Sequence, residues 1–303
     1  MGNLFVILGP TGVGKTDISI DLATTLSCSI VSSDSRQIYK EISIGTAKPS
    51  EEELNKVKHY FISTQSITDH YSSGQYELDA IPIIESEIKK NGNALLVGGS
   101  MLYISAICNG IDDIPNIDPE VREEVTTLYN KVGLDGIRNQ LKLLDPIHYK
   151  EVDPMNAKRI KHALEVCLQT GRPFSELRTG IAKKRNFNII KIGLKRDREE
   201  LYNNINNRVL KMMETGLLEE ARNVYTYKEY NSLNTVGYKE LFKYFEKEWT
   251  LDYAISMIQQ NTRRYAKKQM SWFNKDKDIQ WFHPEEKTSI LQFVKEHISQ
   301  NDK

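Results

Sequence analysis

The sequence predicts an α/β fold, a parallel β-sheet flanked by helices, with a helical domain inserted into it. The first observation is a series of short apolar runs that alternate with helical patterns, as in sheets covered on both faces: LFVIL (4–8), SIVSS (29–33), ALLVGG (94–99) and FNIIKIGLK (187–195). The second is a stretch from about residue 114 to 185 that holds helical patterns but no strand pattern. We therefore predict a core of residues 1–113 and 186–303 and an insertion of residues 114–185.

The first helices of the core are predicted from apolar spacing and from end signals. Helical spacing follows the first strand, at Ile18, Leu22 and Leu26. Ser50 and Glu53 form a capping box that begins a short charged helix. A helical pattern over 76–90 is closed by Asn91-Gly92, and Pro82 inside it is expected to kink or interrupt the helix.

The later elements follow from the same signals. In the insertion, Asp118-Pro119 begins one helix as cap and first residue, and Ala157–Thr170 forms another. Two long helices are predicted after the insertion, over roughly 198–215 and 250–274, before a last strand at IQWFH (279–283). This order returns the chain to the sheet after the insertion.

Composition indicates a soluble cytoplasmic enzyme. Of 303 residues, 39% are hydrophobic and 27% charged, and the formal net charge is zero. No apolar run approaches the roughly 20 residues that span a bilayer, so we expect no membrane segment. The start MGNLFVILGP is too quickly a glycine-rich loop for a signal peptide. Three widely spaced cysteines predict neither zinc nor disulfides, and a monomer is the default expectation.

Basic residues are concentrated in two segments of this neutral chain. Residues 158–185 hold eight Lys or Arg against two Glu, and residues 257–277 hold six against Asp276 alone. Arg263 and Lys267 are four residues apart, as are Arg264 and Lys268, so each pair shares a helix face. Most charged runs are simply solvated surface, but two of them favour an anionic macromolecule as partner.

A phosphate-binding loop follows the first strand. GPTGVGKT matches G-x-x-x-x-G-K-[ST] in strand–loop–helix context, which makes the predicted fold P-loop NTPase-like. Lys15 is expected to contact phosphate oxygens and the Thr16 hydroxyl to help hold Mg²⁺. The residues expected to bind the phosphates span the whole loop, and all of them except Pro10 have a backbone N–H to offer: Gly9, Pro10, Thr11, Gly12, Val13, Gly14, Lys15 and Thr16.

The usual apparatus for activating the γ-phosphate of ATP is not evident. The strand ALLVGGS ends in Gly98-Gly99-Ser100 rather than in Asp, although Asp34 follows the second strand, so a kinase stays possible. Ligands of open parallel sheets bind at the carboxyl ends of the strands, where the loop, Asp34 and Ser100 would share one crevice. The run after Asp34 is polar, and Gln37 can read a base edge through paired donor and acceptor groups.

Taken in order along the chain, these motifs resemble the tRNA dimethylallyltransferases, also called tRNA isopentenyltransferases. The resemblance rests on GPTGVGKT, VSSDSRQIY with GTAKP, LLVGGSMLY, NAKRIKHALEV, RVLKMMETGL, VGYKEL and TRRYAKKQMSWF. It implies transfer of a dimethylallyl group from dimethylallyl diphosphate to N6 of the adenosine 3′ of the anticodon in tRNA. The loop would then grip the diphosphate of an isoprenoid, the leaving group.

The resemblance also implies roles for individual residues. Asp34 matches the general base, Ser100 stands at a hydroxyl position where Thr is usual, and Arg208 matches an arginine directed at the diphosphate. Residues implied or expected to contact tRNA are Asp34, Ser35, Arg36, Gln37, Ser100, Arg122, Lys158, Arg159, Ile160, Lys161, His162, Arg263, Arg264 and Lys267. The run HYFISTQSITDHYSS and Asn204, where arginine is common, depart from the family pattern.

Three other functions stay open from the sequence. An adenylate isopentenyltransferase would use a free adenine nucleotide, a small-molecule kinase would consume ATP, and a non-catalytic RNA-binding protein would keep the loop as scaffolding. The insertion and the basic segments favour a macromolecular acceptor. Tyr265 and Trp272 are near enough to stack on bases, but we expect Trp272 to pack in the core.

Overall fold

The computed structural model describes residues 2–299, and this part of the chain forms a parallel sheet of six strands in the order β3-β2-β4-β1-β5-β6. The strands are β1 (Asn3–Leu8), β2 (Ile30–Ser33), β3 (His59–Tyr60), β4 (Asn93–Gly98), β5 (Asn188–Leu194) and β6 (Ile279–Phe282). Every neighbouring pair is parallel. The predicted α/β class is confirmed.

Helices connect the strands and follow the last of them. Those of the sheet-containing part are α1 (Lys15–Leu26), α2 (Glu51–Lys56), α3 (Ser73–Asn91), α4 (Met101–Asn109), α9 (Arg198–Glu214), α10 (Leu217–Asn223), α11 (Tyr238–Phe245), α12 (Leu251–Phe273) and α13 (Lys287–Ser299). Short 3₁₀ turns lie at Tyr225–Tyr227 and Asn231–Leu233. None of the helices in residues 2–299 is long and apolar enough to cross a membrane.

The side chains of strand β1 are buried on both faces of the sheet, which explains why its sequence is apolar throughout rather than alternating. Leu4, Val6 and Leu8 pack in one hydrophobic cluster, whereas Phe5 and Ile7 pack in another. Successive side chains of a strand point to opposite faces, so both faces of this central strand are buried. The strand that leads into the phosphate loop is thus fixed on both faces.

The end signals of the helices act as predicted, with one exception. Ser50 and Glu53 form the capping box of α2, and Gly92 ends α3 in the left-handed conformation. The expected interruption at Pro82 is wrong, because α3 continues through this residue as one helix. Pro82 cannot donate to the carbonyl of Leu78, one turn earlier, but Leu78 lies on the exposed face, where water can serve that carbonyl.

The chain divides into two compact units, one running up to Cys108 and resuming at Arg185, the other spanning Asn109–Lys184. The second unit is helical, with α5 (Pro119–Leu144), α6 (Pro146–Glu151), α7 (Ala157–Thr170) and α8 (Phe174–Leu177). Asp118 precedes Pro119 as the N-cap position of α5, and Gly133, at φ 68°, kinks that helix. Its own core includes Val125, Ile137, Leu141 and Leu164.

Candidate active site

A cavity of about 1230 Å³ lies in the sheet-containing unit, beside the carboxyl ends of β1, β2 and β4. Thr11, Asp34 and Ser100, which follow these three strands, line it together with Arg208 of α9. Ligand sites of open α/β sheets occur at this edge. The volume lies above the roughly 300–1,000 Å³ of most small-molecule sites.

The phosphate loop joins β1 to α1 through an unusual backbone conformation. Gly14 is the N-cap of α1 at φ 100°, a left-handed conformation that side chains other than glycine rarely adopt. The loop thereby aims the amide end of α1 outwards, as in anion sites at helix N-termini. The side chain of Val13 is buried in the core, so Val13 can contact a ligand only through its backbone.

Lys15 lies folded under the loop. Its Nζ donates to the carbonyl oxygens of Gly9, at 3.0 Å, and Pro10, at 2.9 Å. Burial lowers the pKa of Lys15 to about 8, the charge of Asp34 opposes that shift, and Arg208 adds to it. A desolvated cation of this kind is stabilised by an anionic partner.

Arg208 reaches the same place from α9. Its Nη1 donates to Oγ1 of Thr11 over 3.4 Å, and burial lowers its pKa while Asp34 opposes the shift. Lys15 and Arg208 therefore form a desolvated cationic pair, with the Asp34 carboxylate as the nearby anion. Such a pair attracts a multiply charged anion strongly.

Asp34 is held by the loop that follows β2. Its Oδ1 accepts hydrogen bonds from the backbone N–H groups of Arg36, at 2.8 Å, and Gln37, at 3.3 Å. Within residues 2–299 no protein group donates to Oδ2. One carboxylate oxygen thus fixes the turn, and the other is available to a ligand in the cavity.

Ser100 joins the turn after β4 to the turn after β2. Its Oγ accepts from the N–H of Ser35 at 2.8 Å and donates to Oγ of Ser35 at 3.1 Å. The hydroxyl of Tyr265, from α12, also interacts with Ser100, and burial together with the charge of Asp34 raises the pKa of Tyr265 to about 12. Tyr265 therefore stays a neutral hydrogen-bonding group at ordinary pH.

Two polar residues after Asp34 are engaged with the protein itself. The Nε2 of Gln37 donates to the carbonyl oxygens of Thr46 and Ala47, so the paired donor and acceptor expected to read a base edge are not available in this conformation. The Nη1 of Arg36 donates to the carbonyl oxygens of Asn231 and Ser232. Both side chains brace loops that border the cavity.

Gln269 of α12 is a site residue that sequence reasoning missed. It is 2% exposed, its Oε1 accepts from the N–H of Thr11 at 2.9 Å, and its Nε2 donates to the carbonyl of Gly99 at 2.8 Å. The sequence did contain a signal for it. Gln269 lies three residues after Ala266 and four before Phe273, so it shares a helix face with these two apolar residues, both of which are buried. A polar residue on the buried face of a helix must find partners.

The same helix presents basic residues to the cavity. Arg264, Lys267 and Lys268 are exposed and line it, whereas Arg263 donates to Oδ1 of Asn206. The expectation that Trp272 packs in the core is wrong: it is 43% exposed and lines the cavity. Its neighbour Phe273 takes the core position.

The helical unit carries the remaining predicted RNA contacts. Arg122, Lys158, Arg159 and His162 are exposed, and Lys161 lies over the ring of Tyr129 at 5.3 Å. The prediction for Ile160 is wrong, because this side chain is fully buried in the core of the unit and cannot touch an external ligand. Lys158 and His162 stand two residues on either side of Ile160, about 160° around the helix from it, and both are exposed.

A magnesium ion would depend mostly on the substrate for its ligands. Among residues 2–299 there is no cluster of three His, Cys, Asp or Glu side chains that could hold a metal ion. Thr16, in the first turn of α1, is exposed beside Lys15 and offers the hydroxyl oxygen that phosphate loops give to Mg²⁺. This fits an ion held by one protein hydroxyl, phosphate oxygens and water.

The cavity lies at the edge of a parallel sheet and is bordered by Thr11 of GPTGVGKT, a segment that matches the phosphate-loop pattern. A family model described as IPP transferase matches residues 37–276. The chain belongs to the IPP transferase family, whose members are prenyltransferases.

Individual relatives match over nearly their whole length. tRNA dimethylallyltransferase 1 of Bacteroides fragilis is 53% identical over 295 residues, covering 97% of this chain and 98% of the relative. The enzyme of the same name from Phocaeicola vulgatus is 54% identical over 291 residues, covering 96% and 97%.

Solved structures of similar proteins belong to enzymes of the same kind. A tRNA isopentenylpyrophosphate transferase from Bacillus halodurans has a TM-score of 0.73 and 31% identity, covering 100% of this chain and 98% of that one. A eukaryotic dimethylallyltransferase acting on tRNA has a TM-score of 0.79 and 26% identity, covering 93% and 74%.

Proposed function

We propose that this enzyme transfers the dimethylallyl group of dimethylallyl diphosphate to N6 of the adenosine 3′ of the anticodon in tRNA, giving N6-dimethylallyladenosine and diphosphate. The relatives named tRNA dimethylallyltransferase support this reaction. The observation that carries it is the placing of Asp34, Arg208 and Thr11 of the phosphate loop around one cavity, with Lys15 close enough for its pKa to respond to the charges of Asp34 and Arg208. A proton acceptor and an anion grip are what this transfer needs.

On the donor side, the loop and the two cations bind the diphosphate. As the allylic C–O bond breaks, negative charge grows on the leaving oxygen, and Lys15, Arg208 and the loop amides stabilise it. These groups are already in place and partly desolvated, which strengthens their effect. Removing one such preorganised group costs about 3–4 kcal/mol of transition-state stabilisation.

On the acceptor side, Asp34 takes a proton from the adenine amine. The nitrogen lone pair is delocalised into the ring, and a carboxylate is too weak a base to deprotonate the amine beforehand. The nitrogen becomes acidic as the new C–N bond forms, and Oδ2 can then accept its proton in the transition state. One C–N bond forms, one C–O bond breaks, and the proton moves to Asp34.

Mg²⁺ is part of the proposal as a cofactor held at Thr16. It would neutralise charge on the diphosphate and so favour its departure. The chain's own contribution there is the Thr16 hydroxyl, next to the Lys15 ammonium.

The tRNA is bound through phosphate contacts and an extruded base. Arg264 and Lys267 of α12, and Arg122, Lys158 and Arg159 of the insertion, are the exposed cations proposed to contact it. Moving the adenine out of its stack costs a few kcal/mol, least in a single-stranded loop, and phosphate contacts offset that cost. A cytoplasmic location and a monomeric enzyme complete the proposal.

The test is mass spectrometry of an anticodon stem-loop with three consecutive adenosines, incubated with enzyme, Mg²⁺ and dimethylallyl diphosphate. A parallel reaction contains AMP instead. We expect the mass of one five-carbon group on the RNA and none on AMP. Gain on AMP alone would identify an adenylate isopentenyltransferase, and ATP turnover without either gain would identify a kinase.

A further inference from the structure

We propose that Gln269 is a positioning residue that locks the phosphate loop to the turn carrying Ser100. The proposal rests on the proposed function only in assigning the loop to the donor diphosphate. Gln269 makes one hydrogen bond to each segment, to the N–H of Thr11 and to the carbonyl of Gly99. No other side chain in residues 2–299 forms hydrogen bonds to both of these backbone groups.

The burial of Gln269 makes this bridge difficult to replace. At 2% exposure its amide has almost no access to water. Without the side chain, the Thr11 N–H and the Gly99 carbonyl lose partners that a dry site does not resupply, and each such loss is costly. The two segments would then settle at other positions.

Thr11 connects the bridge to the anion grip. Its backbone is held by Gln269, and its Oγ1 accepts from Arg208. On the other side, Gly99 precedes Ser100, whose Oγ holds Ser35 next to Asp34. Gln269 therefore sets the spacing between the groups that bind the diphosphate and the turn that carries the base.

The close packing of Gly99 against the Gln269 amide supports the same assignment. A Cβ at this position would lie 2.5 Å from Nε2 of Gln269, closer than a real contact allows, while its next neighbour, the Gly9 carbonyl oxygen, would be at 3.3 Å. Gly99→Ala should therefore displace the amide, and removing the glutamine side chain should relieve most of that conflict.

The experiment is a double-mutant cycle on the binding of inorganic diphosphate, measured by calorimetry with Mg²⁺. We expect Gln269→Ala and Gly99→Ala each to weaken binding about tenfold, the effect of losing one or two hydrogen bonds. The double variant should bind about as weakly as Gln269→Ala alone, because the new Cβ at position 99 no longer meets the glutamine amide. In kinetics, KM for the donor should rise by a similar factor while KM for the RNA stays within about twofold.

Gln259→Ala is the matched control, because Gln259 lies on the same helix and its Nε2 donates to the carbonyl of Asn206. It should bind diphosphate like the parent protein. Unchanged affinity in Gln269→Ala, or fully multiplicative effects in the double variant, would overturn the proposal. If Gln269→Ala does not fold, unchanged affinity in Gly99→Ala alone would do so. Diphosphate binding is measured without RNA, so a failure of the RNA reaction would contradict the proposed function without affecting this test of Gln269.

Discussion

Replacing Asp34 with Asn separates its chemical role from its structural one. Asn keeps an Oδ1 that can accept from the N–H groups of Arg36 and Gln37, so the turn after β2 should be preserved. It loses the negative charge and the basic oxygen that faces the cavity. Ala loses the turn contacts as well, and the two variants together divide the effect of the carboxylate into its parts.

The expected size of each part follows from the contacts. Loss of the general base should slow transfer by about 10²–10⁴, or roughly 3–5 kcal/mol of activation free energy. Asn should leave the free energy of unfolding within about 0.5 kcal/mol of the parent, whereas Ala should cost about 1 kcal/mol for each hydrogen bond to the turn. Donor binding should be retained in both variants, because neither Lys15 nor Arg208 is altered.

The assay is single-turnover transfer to an anticodon stem-loop at saturating donor, near pH 7, where Lys15 in the parent is mostly charged. Diphosphate binding and urea unfolding are measured on the same preparations. Near-parental turnover in Asp34→Asn would remove Asp34 from the role of base. Loss of donor binding in Asp34→Asn would show instead that its charge serves chiefly to keep the cation pair charged.

Three further predictions concern charge and burial. Because a bound diphosphate keeps Lys15 protonated, affinity should be full below its pKa of about 8 and fall as the pH rises above it, by about 30-fold between about pH 7 and 9.5 in calorimetry; Lys15→Met should bind weakly without this break. The double variant Arg264→Ala/Lys267→Ala should reduce the log–log salt slope of RNA binding by about 1.4 and leave diphosphate affinity unchanged, and an unaltered slope would exclude these side chains from phosphate contact. Ile160→Ala should lower the free energy of unfolding by about 2–4 kcal/mol through its lost packing, whereas the exposed neighbour Lys158→Ala should change it by under about 0.5 kcal/mol and weaken RNA binding; denaturant unfolding and filter binding separate the two.

The sheet and its long helices were predictable because their signals are local and strong. Ala157–Thr170 is a helix at the residues expected, and the capping box at Ser50 acts as written in the sequence. Strand β3 was missed because two residues carry no periodic signal. Helix α4 was missed because MLYISAICN is largely apolar and gives no clear amphipathic stripe. In both cases contacts with distant parts of the chain, rather than the local pattern, determine the secondary structure.

The site was predictable only as far as chain topology reaches. Parallel strands end at one edge, so the phosphate loop, Asp34 and Ser100 were expected to meet, and Thr11 of the loop, Asp34 and Ser100 do border one cavity. Which polar side chains face a ligand depends on contacts between distant segments. Gln37 turns to the loop at Thr46, nine residues away, and Gln269 bonds to Thr11 from 258 residues away. No spacing rule encodes such pairs.

The charge of the Asp34 carboxylate also bears on the order in which donor binding and transfer occur. Without a ligand, it is the anion that opposes the loss of charge on Lys15 and Arg208, two cations made costly by burial. A diphosphate in the loop carries more negative charge and takes over their neutralisation. Its binding therefore leaves the charge of Asp34 less balanced by the cations, so the carboxylate can attract the proton of the adenine amine more strongly. On the proposed mechanism, a bound donor prepares the base for the acceptor, which favours donor binding before transfer without any movement of the fold.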